Sequence, residues 1–297
     1  MNLHRPTPPR YWRRILISLL TLLLVVLAGG FAAAAFVRYS PGFDVDENSW
    51  NPRISAATAE ALQARKQQKT GLLVFYARYL RAALHGDFGK SESLQAPVTQ
   101  LLRERAAISA SLVFTGTLGG LLGGGLLAWL AVWPRQRVLQ AGSASISGFL
   151  LAIPPAVLAL GFFFVQAPLS LAVALTIMPR VFGTLRALLT DLRSSPDLLT
   201  ARARGIGSGV IALRYVMGTA APQLASLGGV ALVLAFGAII PIEALCDVPG
   251  LGQLAWKAAL ARDLPLLCAI ALLITFLTAV VAAAGDLLSG SRERNLA

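Results

Sequence analysis

The sequence has 297 residues, of which 56% are hydrophobic and only 13% are charged. This composition, with several uncharged apolar stretches of about 20 residues, excludes an ordinary soluble domain and predicts a protein that spans a lipid bilayer. The net charge of +12 does not indicate nucleic-acid binding, because the basic residues lie between the apolar stretches without interleaved aromatic residues. We interpret these basic residues as topology signals.

Six apolar stretches predict six transmembrane helices and an all-α, polytopic fold. The first follows a basic amino end, as in a signal peptide, but it is too long for one and no cleavage site separates it from polar sequence. The third and fourth are predicted to form a tight hairpin at Pro168, and Pro154-Pro155 is predicted to kink the third. The predicted helices are Ile15–Val37, Ala106–Trp133, Ile146–Gln166, Pro168–Leu189, Pro222–Ile242 and Leu264–Leu288.

Basic residues in the short loops predict that both termini are cytoplasmic, since cytoplasmic loops carry the excess of lysine and arginine. The loop of residues 38–105 is then periplasmic, and its length exempts it from this rule. The predicted segments are a cytoplasmic tail 1–14, the first transmembrane helix 15–37, the periplasmic loop 38–105, a transmembrane core 106–288 with a cytoplasmic loop 191–221, and a cytoplasmic tail 289–297.

The periplasmic loop contains a predicted amphipathic helix. Apolar residues between Leu72 and Leu84 recur near helical period, opposite Arg78 and Arg81. Two interpretations are open for this helix: packing on the outer face of the protein, or lying on lipid headgroups. A second helix is predicted to begin at Ser55 or Thr58 and to run to Gln67.

The sequence contains no recognisable catalytic constellation. The only histidines, His4 and His85, lie in the amino-terminal tail and the periplasmic loop, so neither a Ser-His dyad within the membrane nor an HExxH metal site is predicted. There is also no GxxxxGK[ST] phosphate-binding loop, so any ATPase must be a separate chain. Cys246 and Cys268 lack metal-ligand spacing and are predicted to be free thiols.

The cytoplasmic loop between the fourth and fifth predicted helices carries the most distinctive motif. A polar helix ends at Gly205, which can adopt a left-handed conformation, and Pro222 suits the first turn of the next helix. An ordinary positively charged loop is the simpler interpretation. The residues of this candidate coupling segment are Thr200, Ala201, Arg202, Ala203, Arg204, Gly205, Ile206 and Gly207.

Two further motifs lie in predicted external loops. Their glycines and prolines favour tight backbone turns. The first motif precedes the second predicted helix and comprises Gly86, Asp87, Gly89 and Ser91. The second precedes the last predicted helix and comprises Glu243, Pro249, Gly250, Gly252, Arg262 and Asp263.

The three motifs, in this order, resemble those of ABC importer permeases of the dipeptide, oligopeptide and nickel branch. The resemblance covers nearly the whole chain, although Arg214-Tyr215 stands where the family usually has a histidine. It implies the type I importer arrangement and ATP-driven import of a small solute such as a peptide or nickel complex by alternating access. The implied partners are a second permease subunit, two ATPase subunits that use ATP and magnesium, and an extracytoplasmic substrate-binding protein.

The resemblance also implies roles for the motifs. Thr200 to Gly207 would be a coupling helix in a groove of the ATPase subunit, and the external motifs would lie near the docking surface for the binding protein. No cofactor bound by this chain is implied. Glu243 matches a family position at the outer end of the fifth helix.

Charged residues within predicted spans are functional candidates, because they are costly in a bilayer. Arg180 is a candidate pathway residue, although snorkelling or pairing with another helix also explains an arginine there. The glycine-rich run 118–125 predicts close helix packing or a flexible gate. The alternatives to an importer are an ATPase-independent transporter or channel that uses Arg180, Asp286 or Glu243, and a non-transporting scaffold derived from a permease.

Overall fold

A computed structural model describes residues 10–39, 71–132, 137–193, 200 and 217–290. In these ranges the regular structure is helical, apart from a single bridge between Lys90 and Pro97. The helices are α1 Arg10–Arg38, α2 Leu72–Ala83, α3 Val98–Val132, α4 Arg137–Ala152, α5 Pro155–Phe164, α6 Ser170–Arg193, α7 Met217–Leu245, α8 Leu251–Leu260 and α9 Leu264–Gly290.

Five of these helices are long and apolar enough to cross a membrane, and a bent pair makes a sixth crossing if its two helices form one span. The five are α1, α3, α6, α7 and α9, and the pair is α4 with α5. The predicted all-α polytopic fold is therefore confirmed. Cys246 and Cys268 are both free, as predicted, and both are buried.

The bent pair corrects one prediction. The third predicted helix, Ile146–Gln166, is divided at Pro154 into α4 and α5, whose axes differ by 97°. Pro154 is extended, with a ψ of 145°, and Pro155 begins α5. A proline kink was expected, but an extended residue before a proline ends the helix altogether. The hairpin to α6 is present, and its turn is made by Gln166, whose φ is +55°.

The starts of α3 and α7 also differ from the predictions. α3 begins at Val98 rather than Ala106, and α7 begins at Met217 rather than Pro222. Pro222 is thus the sixth residue of its helix, not a residue of the first turn. The predicted starts were taken from the apolar stretches, which mark only the part of a helix inside the bilayer. A helix can continue through polar residues beyond the bilayer.

The glycine-rich run of α3 is a packing surface against α6. A Cβ at Gly116, Gly120 or Gly124 would lie within 3 Å of Val173, Ile177 and Val181, respectively. The matched register shows that α3 and α6 run in the same direction, as expected if α4 and α5 return the chain across the membrane. The packing interpretation of this run is therefore the one the structure supports.

Helix α2 packs on the membrane-spanning helices α1 and α9. The Tyr76 hydroxyl donates a hydrogen bond to the Leu27 carbonyl of α1 at 2.7 Å, and the Tyr79 hydroxyl donates one to the Pro265 carbonyl of α9 at 3.0 Å. Desolvation by burial raises the pKa of Tyr76 to about 12. Both tyrosines therefore stay protonated donors, and of the two interpretations of this helix the structure supports packing.

Candidate functional site

Asp263 joins the two motifs that were predicted in external loops. Its Oδ1 accepts the Leu266 N–H at 3.1 Å, which caps the start of α9. Its Oδ2 accepts the hydroxyls of Ser91 at 2.5 Å and Ser93 at 2.7 Å, and the Ser93 N–H at 2.9 Å. The side chain is fully buried. Asp263 thus fastens the loop before α3 to the start of the last span.

The ionisation of Asp263 follows from these contacts. Desolvation alone would raise its pKa, but the hydrogen bonds from Ser91, Ser93 and Leu266 outweigh burial and lower the pKa below its ordinary value. A depressed carboxyl pKa contributes stability above the unfolded-state value of about 3.9, and this stability is lost as the pH falls through the folded-state pKa. The fastening is therefore complete at neutral pH.

Glu243 forms a second buried carboxylate cluster at the end of α7. Its Oε1 accepts the Ser109 hydroxyl of α3 at 2.7 Å, and its Oε2 accepts the Gly252 N–H of α8 at 2.6 Å. Ser109 Oγ in turn accepts the Leu251 N–H at 2.7 Å. Because amide groups at a helix N-terminus favour negative charge, the carboxylate suits the start of α8. Glu243 therefore ties α3, α7 and α8 together.

The glycines of the second motif leave room for this carboxylate. A Cβ at Gly250 would lie 2.2 Å from Glu243 Oε1, and a Cβ at Gly252 would lie 2.7 Å from the Ile240 Cα. Only glycine lets the backbone approach Glu243 this closely. The motif residues Glu243, Gly250 and Gly252 are thus one structural unit.

The remaining motif residues shape the loops rather than joining the clusters. Gly86 and Gly89 have φ values of +80° and +72°, so the predicted glycine turns are present. Asp87 accepts the Gly89 N–H at 2.9 Å. Arg262 has a φ of +55° at the end of α8, and Pro249 is exposed.

Two residues of these clusters were not identified from the sequence. Ser93 and Ser109 supply hydroxyl donors to Asp263 and Glu243. Ser93 lies two residues beyond a motif residue, which is a usable signal. Ser109 is a single serine in an apolar helix, and the sequence does not distinguish it from other small residues there.

Helix α6 exposes a polar face along much of its span. Between Thr176 and Asp191 it exposes no large apolar side chain. By contrast, α1 carries exposed leucines, as suits contact with lipid. More than half of the surface is exposed in each of Leu20, Leu23 and Leu24. The residues of this polar face are Thr176, Arg180, Gly183, Thr184, Ala187, Thr190 and Asp191. They recur at the helical period, so they lie on one side of α6.

Arg180 lies near the middle of this polar face. It is exposed and follows Pro179, the proline within α6. Arg186 lies six residues further on, about 120° around the helix axis, and its guanidinium carbon lies 5.8 Å from the centre of the Phe182 ring. Both arginines are exposed, but they lie on different sides of α6, and Arg180 belongs to the polar face.

The candidate coupling segment lies largely outside the described residues. Thr200 is helical and exposed, whereas Ala201, Arg202, Ala203, Arg204, Gly205, Ile206 and Gly207 are not described. Their proposed role stays a prediction.

Together the fold and the site define a class of protein: a multi-pass, all-helical membrane protein with a polar helix face in its span and fixed loops at one side. Residues 109–296 match the family described as binding-protein-dependent transport system inner membrane component. The chain belongs to this family, and it is a multi-pass inner-membrane permease.

Curated relatives match over nearly the same length. The nickel import system permease protein NikB of Staphylococcus aureus strain MRSA252 is 23% identical over 93% of this chain and 89% of its own length. The NikB proteins of strains USA300 and N315 have the same identity and coverage. This chain is similar to nickel import permeases across its whole membrane region.

Proposed function

We propose that this chain is the permease subunit of an ATP-driven importer, and that the polar face of α6 lines the solute pathway. The polar face carries the proposal. In a bilayer, exposed polar and charged side chains are costly unless they face water or another protein chain. A helix in the middle of a permease that turns Arg180 and Thr184 outward suits a water-filled pathway shared with a second permease subunit.

The cargo we propose is a small solute such as a nickel complex or a short peptide. The similarity to the nickel import permeases of Staphylococcus aureus supports a nickel-related cargo, and the resemblance to the dipeptide and oligopeptide branch supports a peptide. We also propose that both termini are cytoplasmic, which the excess of basic residues in the predicted cytoplasmic loops supports.

ATP hydrolysis is assigned to separate subunits. The proposed assembly has two permease subunits, two ATPase subunits that use ATP and magnesium, and an extracytoplasmic binding protein. The segment from Thr200 to Gly207 would dock into the ATPase subunit, with Arg202 and Arg204 near acidic groups. Each such surface ion pair contributes at most about 1 kcal/mol, so apolar contacts around Ile206 would supply much of the docking.

Cysteine accessibility in the assembled transporter tests the pathway. In a background with Cys246→Ala and Cys268→Ala, we expect Thr184→Cys to react with a membrane-impermeant maleimide at rates that differ about tenfold between the nucleotide-free and the ATP-vanadate states. Alternating access changes the water exposure of the face. A difference of about 1.4 kcal/mol in the free energy of exposing the thiol to water changes the labelling rate tenfold.

The matched control is Leu23→Cys, which lies on the lipid-suited surface of α1 and is 54% exposed in the isolated chain. We expect it to remain unlabelled in both states. Equal labelling of Thr184→Cys and Leu23→Cys would contradict a pathway along α6.

A further inference from the structure

The polar face of α6 has one charged side chain at mid-span. Arg180 is ten residues from the start of α6 at Ser170 and thirteen from its end at Arg193. At 1.5 Å per residue these distances are about 15 and 20 Å, which exceeds the reach of an arginine side chain. Snorkelling to either membrane surface therefore does not solvate this guanidinium.

The neighbours of Arg180 on the face are neutral. Thr176 and Thr184 lie one turn on either side, and their hydroxyls donate to the Ala172 and Arg180 carbonyls at 2.8 and 3.1 Å. Each threonine oxygen thus presents lone pairs rather than a proton. Gly183 and Ala187 add no polar side chain.

No acidic side chain among the described residues forms an ion pair with Arg180. Lys257 of α8 forms an ion pair with Asp247, in the loop between α7 and α8, at 3.6 Å. Glu243, the carboxylate buried at the end of α7, is occupied by Ser109 and Gly252. Arg180 therefore presents its charge on the same exposed face as the threonines.

An arginine in this position has a fixed electrostatic effect. Arginine carries a positive charge, and a charge in a narrow, low-dielectric pathway acts more strongly than in bulk water. Such a charge repels small cations and attracts carboxylates, as arginines do in selective pores. Its five N–H donors also match the two oxygens of a carboxylate.

We propose that Arg180 is the charge filter of the pathway: it admits solutes that carry a carboxylate and rejects small inorganic cations. A permease that opens to water on alternate sides thereby transports its cargo without leaking sodium ions or protons. This inference rests on the proposed function, because it requires the polar face of α6 to line the pathway.

The filter is tested with charged thiol reagents in the assembled transporter. Thr184→Cys, in the background with Cys246→Ala and Cys268→Ala, is labelled with methanethiosulfonates that carry either a sulfonate or a trimethylammonium group. Each rate is divided by the rate of the same reagent with a small free thiol. We expect this corrected ratio to favour the anionic reagent by about tenfold, the effect of a unit charge one helical turn away at the dielectric constant of bulk water.

Three variants separate charge from structure. Arg180→Gln should reduce the ratio to about one, and Arg180→Lys should retain it. Arg186→Gln, which removes a charge from another side of α6, should leave it unchanged. Passive sodium efflux from proteoliposomes should rise at least tenfold with Arg180→Gln alone.

The possible failures have different meanings. If Thr184→Cys reacts but the ratio and the sodium efflux are the same with Arg180→Gln, the filter is wrong while the pathway stands. If Thr184→Cys reacts with neither reagent, the face is not aqueous, and both the pathway and the filter are wrong. Retained assembly of Arg180→Gln and of Arg180→Lys shows that both variants are folded.

Discussion

Replacing Gly124 with alanine is expected to destabilise the protein by about 2 kcal/mol or more, because the new methyl group has no space. Its Cβ would lie 2.7 Å from the Val181 Cβ and 2.8 Å from the Met178 carbonyl oxygen. The carbonyl belongs to the backbone of α6, so α3 and α6 must separate to relieve the contact.

The matched control is Gly125→Ala on the same helix. Its Cβ would meet only Leu185 Cδ1, at 3.7 Å, an ordinary contact. Since alanine favours helix over glycine by up to about 1 kcal/mol, this variant should be as stable as the parent or more so. Thermal unfolding of both variants in the same detergent measures the difference. Equal melting temperatures would contradict the close packing of α3 on α6.

The second large effect is expected for Glu243→Ala. The substitution removes both acceptors from a fully buried site, and leaves the Ser109 hydroxyl and the Gly252 N–H unsatisfied. An unsatisfied buried donor costs about 1–3 kcal/mol, and the cavity adds to this. We therefore expect a loss of about 4 kcal/mol in the free energy of unfolding.

Glu243→Gln and Ser109→Ala are expected to reduce the free energy of unfolding by smaller amounts. Glutamine keeps one carbonyl acceptor but places an amide donor against existing donors, so we expect a loss of about 2 kcal/mol. Ser109→Ala removes one of the donors and should cost about 1 kcal/mol. Limited proteolysis of the segment between α7 and α8, together with thermal unfolding, measures the series. Wild-type stability of Glu243→Ala would show that the carboxylate cluster does not hold α3, α7 and α8 together.

The membrane crossings were predictable from the sequence because a bilayer requires about 20 apolar residues for each crossing. The division of the third crossing was not. Pro154-Pro155 signals an interrupted helix, but the 97° angle between α4 and α5 depends on the helices that pack around them. The early starts of α3 and α7 were not predicted for another reason. Hydropathy identifies the apolar residues that lie within the bilayer, but not the polar helical residues that precede them.

The motifs of the site were predictable, but their contacts were not. The sequence analysis identified Ser91 and Asp263 as residues of two separate motifs. Their side chains form a hydrogen bond, which the sequence does not predict because 172 residues separate them. Arg180 was identified as a charge within a span. The threonines, glycine and alanine around it recur at the helical period. The sequence pattern therefore indicates the polar face of α6, but we did not predict this face from the sequence.

The most direct test of the importer assignment is a crosslink between this chain and an ATPase subunit. Cysteine is introduced by Thr200→Cys or Gly207→Cys, in membranes that contain the candidate ATPase subunits. We predict a crosslink to the ATPase whose yield changes when ATP is added, because the coupling segment follows the closure of the ATPase pair. The absence of a crosslink at both positions, with the protein folded and inserted, would contradict the account and favour a transporter or scaffold that works without an ATPase.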